Sequence, residues 1–97
     1  MVQNIIGFQG NPVVNQFVIS TENAIYFQSY RSVVCRIDRK TKQVVLSSHW
    51  DYSTTTSKYL YKFLRDNGIY VERKKDVQSK IKSKEFVEIE DYSISLI

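Results

Sequence analysis

A run of five hydroxyl side chains, Ser53 to Ser57, is the part of the sequence whose residue types and spacing could do chemistry. The run leads into an amphipathic segment, a pattern typical of a helix start, where a Ser or Thr hydroxyl accepts a hydrogen bond from a free backbone N–H. The candidate anion site consists of Ser53, Thr54 and Thr55. Because a helix N-terminus is partly positive and Lys58 lies one turn further on, this site could hold a phosphate or a carboxylate. The alternative, which the sequence favours, is that these hydroxyls only cap the helix.

Groups suited to catalysis are few. The chain has one cysteine, Cys35, and one histidine, His49, placed on apparently different strands. A lone cysteine excludes a disulfide framework and a multi-cysteine zinc site, and Cys35 suits a buried position beside Val34. Only three glycines occur, so the sequence has no glycine-rich phosphate loop. We therefore predict that the protein is not an enzyme and has no catalytic residues, no metal site and no cofactor.

Charge is distributed unevenly along the chain. Residues 1–30 contain no Lys or Arg, residues 31–84 hold all fourteen of them against five acids, and residues 85–97 hold four acids and no base. A basic middle segment suits attraction to nucleic acid or to an acidic protein. The alternative is a set of solvated faces, partly neutralised by the acidic end folding back. Glu88, Glu90 and Asp91 could hold a hard cation, but a solvated face explains them better.

The first half of the chain has the pattern of β-strands. Val13 to Ile19 is rich in β-branched residues, and Ala24 to Tyr30 alternates between two faces. The alternation continues over Ser32 to Asp38, and Gln43 to Ser48 follows a polar hairpin connection. Consecutive strands joined by short turns favour an antiparallel meander.

The second half begins with a helix that we predict over about residues 53–67. Tyr59, Leu60, Phe63 and Leu64 give it one apolar face, and Asn67-Gly68 supplies a left-handed stop. Residues 74–83 form either a short, very basic second helix or a solvated loop. Phe86 to Ile97 alternates in part, which indicates a terminal strand or two. The predicted fold is a single α+β domain, residues 1–97, with an antiparallel sheet of about five strands and the main helix on one face.

One local motif resembles a known group of proteins. Tyr52 to Leu60 matches Tyr-Ser-x-Thr-Thr-x-Lys-Tyr-Leu, and Phe27-Gln28-Ser29-Tyr30 precedes it. Together these segments resemble small, mostly uncharacterised proteins encoded by tailed bacteriophages, over about residues 25–64. The resemblance carries over no catalytic residues. It implies a phage or prophage gene product made in a bacterial cytoplasm, and small phage proteins often bind and disable a host machine, including antiviral defence systems.

Composition and resemblance together favour a binding protein. We predict a non-enzymatic protein that binds a host bacterial protein and inhibits an antiviral defence complex, through cations and two tyrosine anchors. The predicted contact residues are Lys58, Lys62, Arg65, Lys74, Lys75, Lys80, Tyr61 and Tyr70. Opposed basic and acidic segments also suit self-association as a homodimer.

The alternative prediction is a small, basic nucleic-acid-binding protein. Tyr26 and Tyr30, on one face of the same predicted strand, could stack bases if they were exposed, whereas a packed sheet face explains them better. No apolar run approaches the ~20 residues needed to span a bilayer, and no charged-then-apolar leader opens the chain. We therefore expect a cytoplasmic protein of the bacterial host cell that does not enter a membrane.

Overall fold

A computed structural model describes residues 1–96 and has the α+β fold that the sequence predicts. Five strands come first, then two helices, then a last strand. The strands are β1 Val2–Ile6, β2 Pro12–Ser20, β3 Ala24–Ser29, β4 Ser32–Asp38, β5 Val44–Leu46 and β6 Phe86–Glu88. The helices are α1 Thr54–Asp66 and α2 Lys74–Lys82.

The sheet has six strands in the order β1 to β6, rather than the predicted five or so. Every neighbouring pair is antiparallel except β5 and β6, which are parallel, so the sheet is mixed. The last pair differs because α1 and α2 lie between its strands in the chain. A crossover of that length returns the chain to the sheet in the same direction, whereas a short hairpin reverses it.

The helix α1 forms where the sequence predicts it because its apolar residues share one face. Leu60, Phe63 and Leu64 are buried against the sheet, and the ring of Phe63 stacks on Phe27 of β3 at a centroid distance of 5.7 Å. The helix ends before Gly68, whose φ of +81° is the left-handed conformation that favours glycine. This contact between α1 and the sheet forms the main core.

Of the two alternatives predicted for residues 74–83, the short helix is confirmed and the solvated loop is wrong, because α2 spans Lys74–Lys82. Its start is fixed by Asp76, whose carboxylate accepts the backbone N–H of Glu72 at 2.9 Å and of Arg73 at 3.2 Å. These backbone donors hold the pKa of Asp76 below its ordinary value. Val77 is the buried residue of this helix, and Lys84, at φ +67°, ends the segment in the left-handed region.

The opposite face of the sheet is covered by the chain that follows β6. Ile94 is 8% exposed and packs in a cluster with Ile19, Tyr26 and Val33. Its backbone N–H donates to the carbonyl of Val33 at 2.9 Å. The predicted strand character stops at Glu88, because residues 89–96 cross this face without regular pairing; Ile97, the last residue of that prediction, lies outside the described residues. The acidic end thus folds back on the sheet.

The strand β2 contains a bulge, which makes a hydrogen bond to the turn between β3 and β4. Asn4 pairs with Phe17 and Ile6 with Pro12, so four residues of β2 lie opposite one residue of β1. The bulge includes Asn15 at φ +65°, and Asn tolerates this left-handed conformation better than most residues. The carbonyl of Asn15 accepts the backbone N–H of Tyr30 at 2.7 Å, which fastens the β3–β4 turn to β2.

Candidate functional site

A large concavity, called here the α1 groove, runs along the outer face of α1. Its volume is about 630 Å³. One wall comes from the β1–β2 turn, one end from the loop between β5 and α1, and the other wall from the segment that leads into α2. The lining residues are Phe8, Asp51, Tyr52, Ser53, Thr54, Ser57, Lys58, Tyr61, Arg65, Glu72 and Lys74.

The groove brings together half of the residues that the sequence predicts to contact a partner. Lys58, Tyr61 and Arg65 line it from α1, and Lys74 lines it from the first turn of α2. The three helix residues share the groove because residues three and four apart lie on one face of an α-helix. Lys74 joins them through the tertiary fold, since its ammonium lies 3.1 Å from a carboxylate oxygen of Asp51 in the β5–α1 loop.

The cations of the groove differ in whether they already make an ion pair or a hydrogen bond within the protein. Lys74 has its ion pair with Asp51, and Arg65 donates to the carbonyl of Val71 at 2.7 Å. The ammonium of Lys58 lies 5.3 Å from the ring centroids of both Phe8 and Tyr59, and within residues 1–96 no carboxylate pairs with it. Lys58 is therefore the cation of the groove best able to receive an acidic group.

The other predicted contact residues lie outside the groove. Lys62 pairs with Asp66 at 2.8 Å, and Lys80 pairs with a residue of the acidic end, Glu85, at 2.9 Å. Lys75 is exposed on α2, and Tyr70 is 67% exposed on the segment between the helices. Internal pairing thus neutralises part of the basic segment, and one of these pairs, Lys80 with Glu85, involves the acidic end.

Local hydrogen bonds at the start of α1 account for three of the five residues of the hydroxyl run. Ser53 is the N-cap of α1: its Oγ accepts the backbone N–H of Thr56 at 3.1 Å and donates to the Thr56 Oγ1 at 3.0 Å. Ser57 donates its hydroxyl to the carbonyl of Ser53 at 3.0 Å. Of the predicted anion-site residues, Ser53 and Thr54 line the groove and Thr55 does not.

A second concavity, called here the aromatic pocket, lies on the other side of Tyr52. Its volume is about 440 Å³, and sequence reasoning did not find it. It is lined by Ser29, Tyr30, Arg31, Ser32, Val34, His49, Tyr52 and Thr56. The ring of His49 lies 4.3 Å from the ring of Tyr92 and 4.7 Å from the ring of Tyr52. The available signal was the closely spaced His49, Trp50 and Tyr52 in the loop before α1.

The two reactive groups considered for catalysis, the thiol of Cys35 and the imidazole of His49, lie in different environments. Cys35 is fully buried in the core, and burial raises the pKa of its thiol, which keeps it protonated near neutral pH. His49 lies in the β5–α1 loop among aromatic rings. Within residues 1–96, no three His, Cys, Asp or Glu side chains are grouped so that they could hold a metal ion. Neither described helix has the length and apolar character needed to cross a bilayer.

Comparison with known proteins gives one result at the level of family. No curated protein and no solved structure matches the chain. A family model, described as a family of unknown function (DUF8033), matches residues 1–91. That match runs from the start of β1 through β6 and includes the lining residues of both concavities. Because it covers nearly the whole sequence, the chain belongs to the DUF8033 family.

Proposed function

We propose that the protein is a non-enzymatic, phage-encoded binding protein, and that its target is a protein of the bacterial host. We further propose that the target belongs to an antiviral defence complex and that binding inhibits it. The phage origin and the defence target are supported by the resemblance of residues 25–64 to small phage proteins. Binding is supported by one observation: four of the eight predicted contact residues line a single groove beside exposed aromatic side chains.

The groove has the composition of a protein-binding surface. Phe8 is 57% exposed and Tyr52 is 70% exposed, so both present large apolar areas that a partner could cover. Aromatic side chains in a preformed concavity are the residues that most often contribute strongly to protein–protein affinity. Lys58 lines the same groove, with its ammonium 5.3 Å from the centroid of the Phe8 ring, and adds a positive charge, which suits a partner that presents a carboxylate beside an apolar side chain.

A capture experiment tests the proposal. Tagged protein should retain one stoichiometric protein from a bacterial host lysate treated with nuclease. Phe8→Ala and Lys58→Glu should each weaken binding of that protein at least tenfold, about 1.4 kcal/mol, measured by calorimetry with purified partner. Lys40→Glu is the matched control, because it makes the same charge change at an exposed position outside the groove. Equal losses for Lys40→Glu and Lys58→Glu would contradict a role for the groove.

The defence target needs a test in cells. Expression of the protein should restore plaque formation by a phage in bacteria whose defence system otherwise blocks that phage, and Lys58→Glu should abolish the restoration. If wild-type protein and Lys58→Glu restored plaque formation equally, the groove would not be responsible for the restoration. Failure to restore plaques against the system to which the captured protein belongs would refute inhibition of that system.

Nucleic-acid binding is the second candidate function, and the segment around α2 favours it. Lys75, Lys82 and Lys84 are exposed, and none of them has an ion pair in the part of the chain described here. Phosphate contacts by these side chains would make affinity fall steeply with salt concentration. Replacing all three by Gln should flatten that salt dependence on immobilised DNA or RNA, and an unchanged slope would exclude them. The predicted homodimer stays a prediction for analytical ultracentrifugation.

A further inference from the structure

The aromatic pocket has a rigid frame built from three separate parts of the chain. The β3–β4 turn supplies Tyr30 and Arg31, the β5–α1 loop supplies His49 and Tyr52, and α1 supplies Thr56. Tyr30 has the left-handed φ of +56°. This turn is held on both sides of Tyr30: its N–H donates to the carbonyl of Asn15 at 2.7 Å, and its carbonyl accepts the Gln28 side-chain amide at 2.8 Å. The walls are therefore preformed.

The rings of His49 and Tyr52 line the pocket together, and the ring of Tyr52 remains open to solvent. The ring of His49 stacks on the ring of Tyr92 at an interplanar angle of 29° and lies tilted against the ring of Tyr52 at 30°. Tyr52 and Tyr92 nevertheless stay 70% and 69% exposed. A ring with this much exposed area offers a surface for a further planar group, and nucleic-acid bases stack on exposed aromatic rings in this way.

The charge of the pocket selects an anion. Arg31 is exposed and is the charged residue of the lining, with no carboxylate beside it there. Among residues 1–96, Arg31 makes no ion pair. The α1 groove differs, since Asp51 and Glu72 line it as well. A guanidinium left free in this way is suited to a two-pronged contact with phosphate oxygens.

We propose that the aromatic pocket binds a nucleotide, with the base stacked on Tyr52 and a phosphate in contact with Arg31. The apolar floor at Val34 and the volume of about 440 Å³ agree with a ligand of this size. The Ser29 and Thr56 hydroxyls of the lining bond to each other at 2.9 Å, whereas the half-buried Ser32 offers its hydroxyl to a base edge. The same chemistry is present in a free nucleotide and in a unit of a single strand.

Titration with AMP, UMP and a ten-residue oligothymidylate tests the proposal and separates the two sources. Binding is followed by NMR shifts of the full chain. Saturable binding of AMP or UMP identifies a free nucleotide as ligand, and binding of the oligonucleotide alone identifies a single strand. Tyr52→Ala should weaken either kind of binding by about 5-fold to 150-fold, as expected for loss of one stacking contact. Tyr70→Ala, an equally exposed tyrosine outside the pocket, should leave affinity unchanged.

The phosphate contact has its own test. Adenosine should bind wild-type protein at least tenfold more weakly than AMP, and Arg31→Ala should remove that difference while Arg39→Ala keeps it. The proposal is overturned if none of the three probes binds at millimolar concentration, or if Tyr52→Ala binds as wild type does. This proposal goes beyond the binding of a host protein, and the two fail separately, because Phe8→Ala and Lys58→Glu report on the α1 groove alone.

Discussion

The buried hydroxyl of Thr56 fastens the start of α1 to the sheet, and replacing Thr56 by valine tests this attachment. The Thr56 Oγ1 lies 2.9 Å from the Oγ of Ser29 in β3 and 3.0 Å from the Oγ of the N-cap Ser53. Thr56 and Ser29 are both buried, so water does not replace a lost partner. Valine has nearly the shape of threonine but cannot form either hydrogen bond.

The expected loss follows from the burial of these groups. A buried hydroxyl left without its partner costs about 1–3 kcal/mol. The extra methyl group that valine would bury at this position would return at most about 0.8 kcal/mol. We therefore expect Thr56→Val to lower the free energy of unfolding by about 1–2 kcal/mol, which for a domain of this size lowers Tm by roughly 4–8 °C for each kcal/mol.

Urea unfolding measures the effect through Trp50, the sole tryptophan of the chain, which is buried and therefore changes its fluorescence on unfolding. Thr55→Val is the matched control, since it makes the same change in helix propensity at an exposed neighbouring position; we expect it to stay within about 0.5 kcal/mol of wild type. In a double-mutant cycle, Ser29→Ala combined with Thr56→Val should cost less than the two single changes added together, by about 0.5–3 kcal/mol. Equal losses for Thr55→Val and Thr56→Val, or strict additivity in the cycle, would refute the reasoning.

Two further predictions concern the segments that close the fold. Ile94→Ala should lower the free energy of unfolding by about 2 kcal/mol, the low end for a buried aliphatic residue, because Ile94 covers the second face of the sheet. The control is Leu96→Ala, at a position 51% exposed, which should lower the free energy of unfolding far less in the same urea experiment. Lys84→Gly should raise the free energy of unfolding by about 1 kcal/mol and raise Tm with it. The reason is that a non-glycine residue at φ +67° carries the left-handed penalty, which glycine avoids. Ser83→Gly, at φ −77°, should lower Tm, and a rise for both variants would contradict the conformational explanation.

Local sequence signals were enough to predict most of the regular structure. The spacing of Leu60, Phe63 and Leu64, with a Ser cap before them and Gly68 after them, determines α1 from contacts only a few residues apart. The parallel pairing of β5 with β6 depends instead on a crossover through two helices. The irregular path of residues 89–96 depends on a sheet face that only the folded chain presents. Such long-range partners leave no periodic pattern in the segments concerned.

The same distinction explains what could be predicted of the candidate sites. Lys58, Tyr61 and Arg65 share the groove because helical spacing alone aligns them. Lys62 has a favourable charge, yet its helix position places it beside Asp66. Tyr26 has the composition of a stacking residue but is buried beneath the C-terminal segment, so it cannot stack an exposed base.

Phe8, His49 and Tyr92 belong to separate segments whose approach could not be predicted from spacing. Phe8 lies in the β1–β2 turn, and the Lys58 ammonium meets its ring only because that turn folds against α1. The stack of His49 on Tyr92 joins residues more than forty positions apart in the sequence. Concavities built from several loops are thus the part of this fold that local sequence spacing does not predict.

Both concavities depend on one loop, the connection between β5 and α1, because Tyr52 lines each of them. Three contacts with distant parts of the chain hold that loop. The Trp50 indole N–H donates to a carboxylate oxygen of Glu88 at 2.7 Å, Asp51 pairs with Lys74, and the Ser48 N–H donates to the carbonyl of Asp91 at 2.9 Å. All three partners lie within the family match over residues 1–91. The helix α2, the strand β6 and the segment after it therefore hold in place the loop that carries Tyr52, and so they shape both concavities.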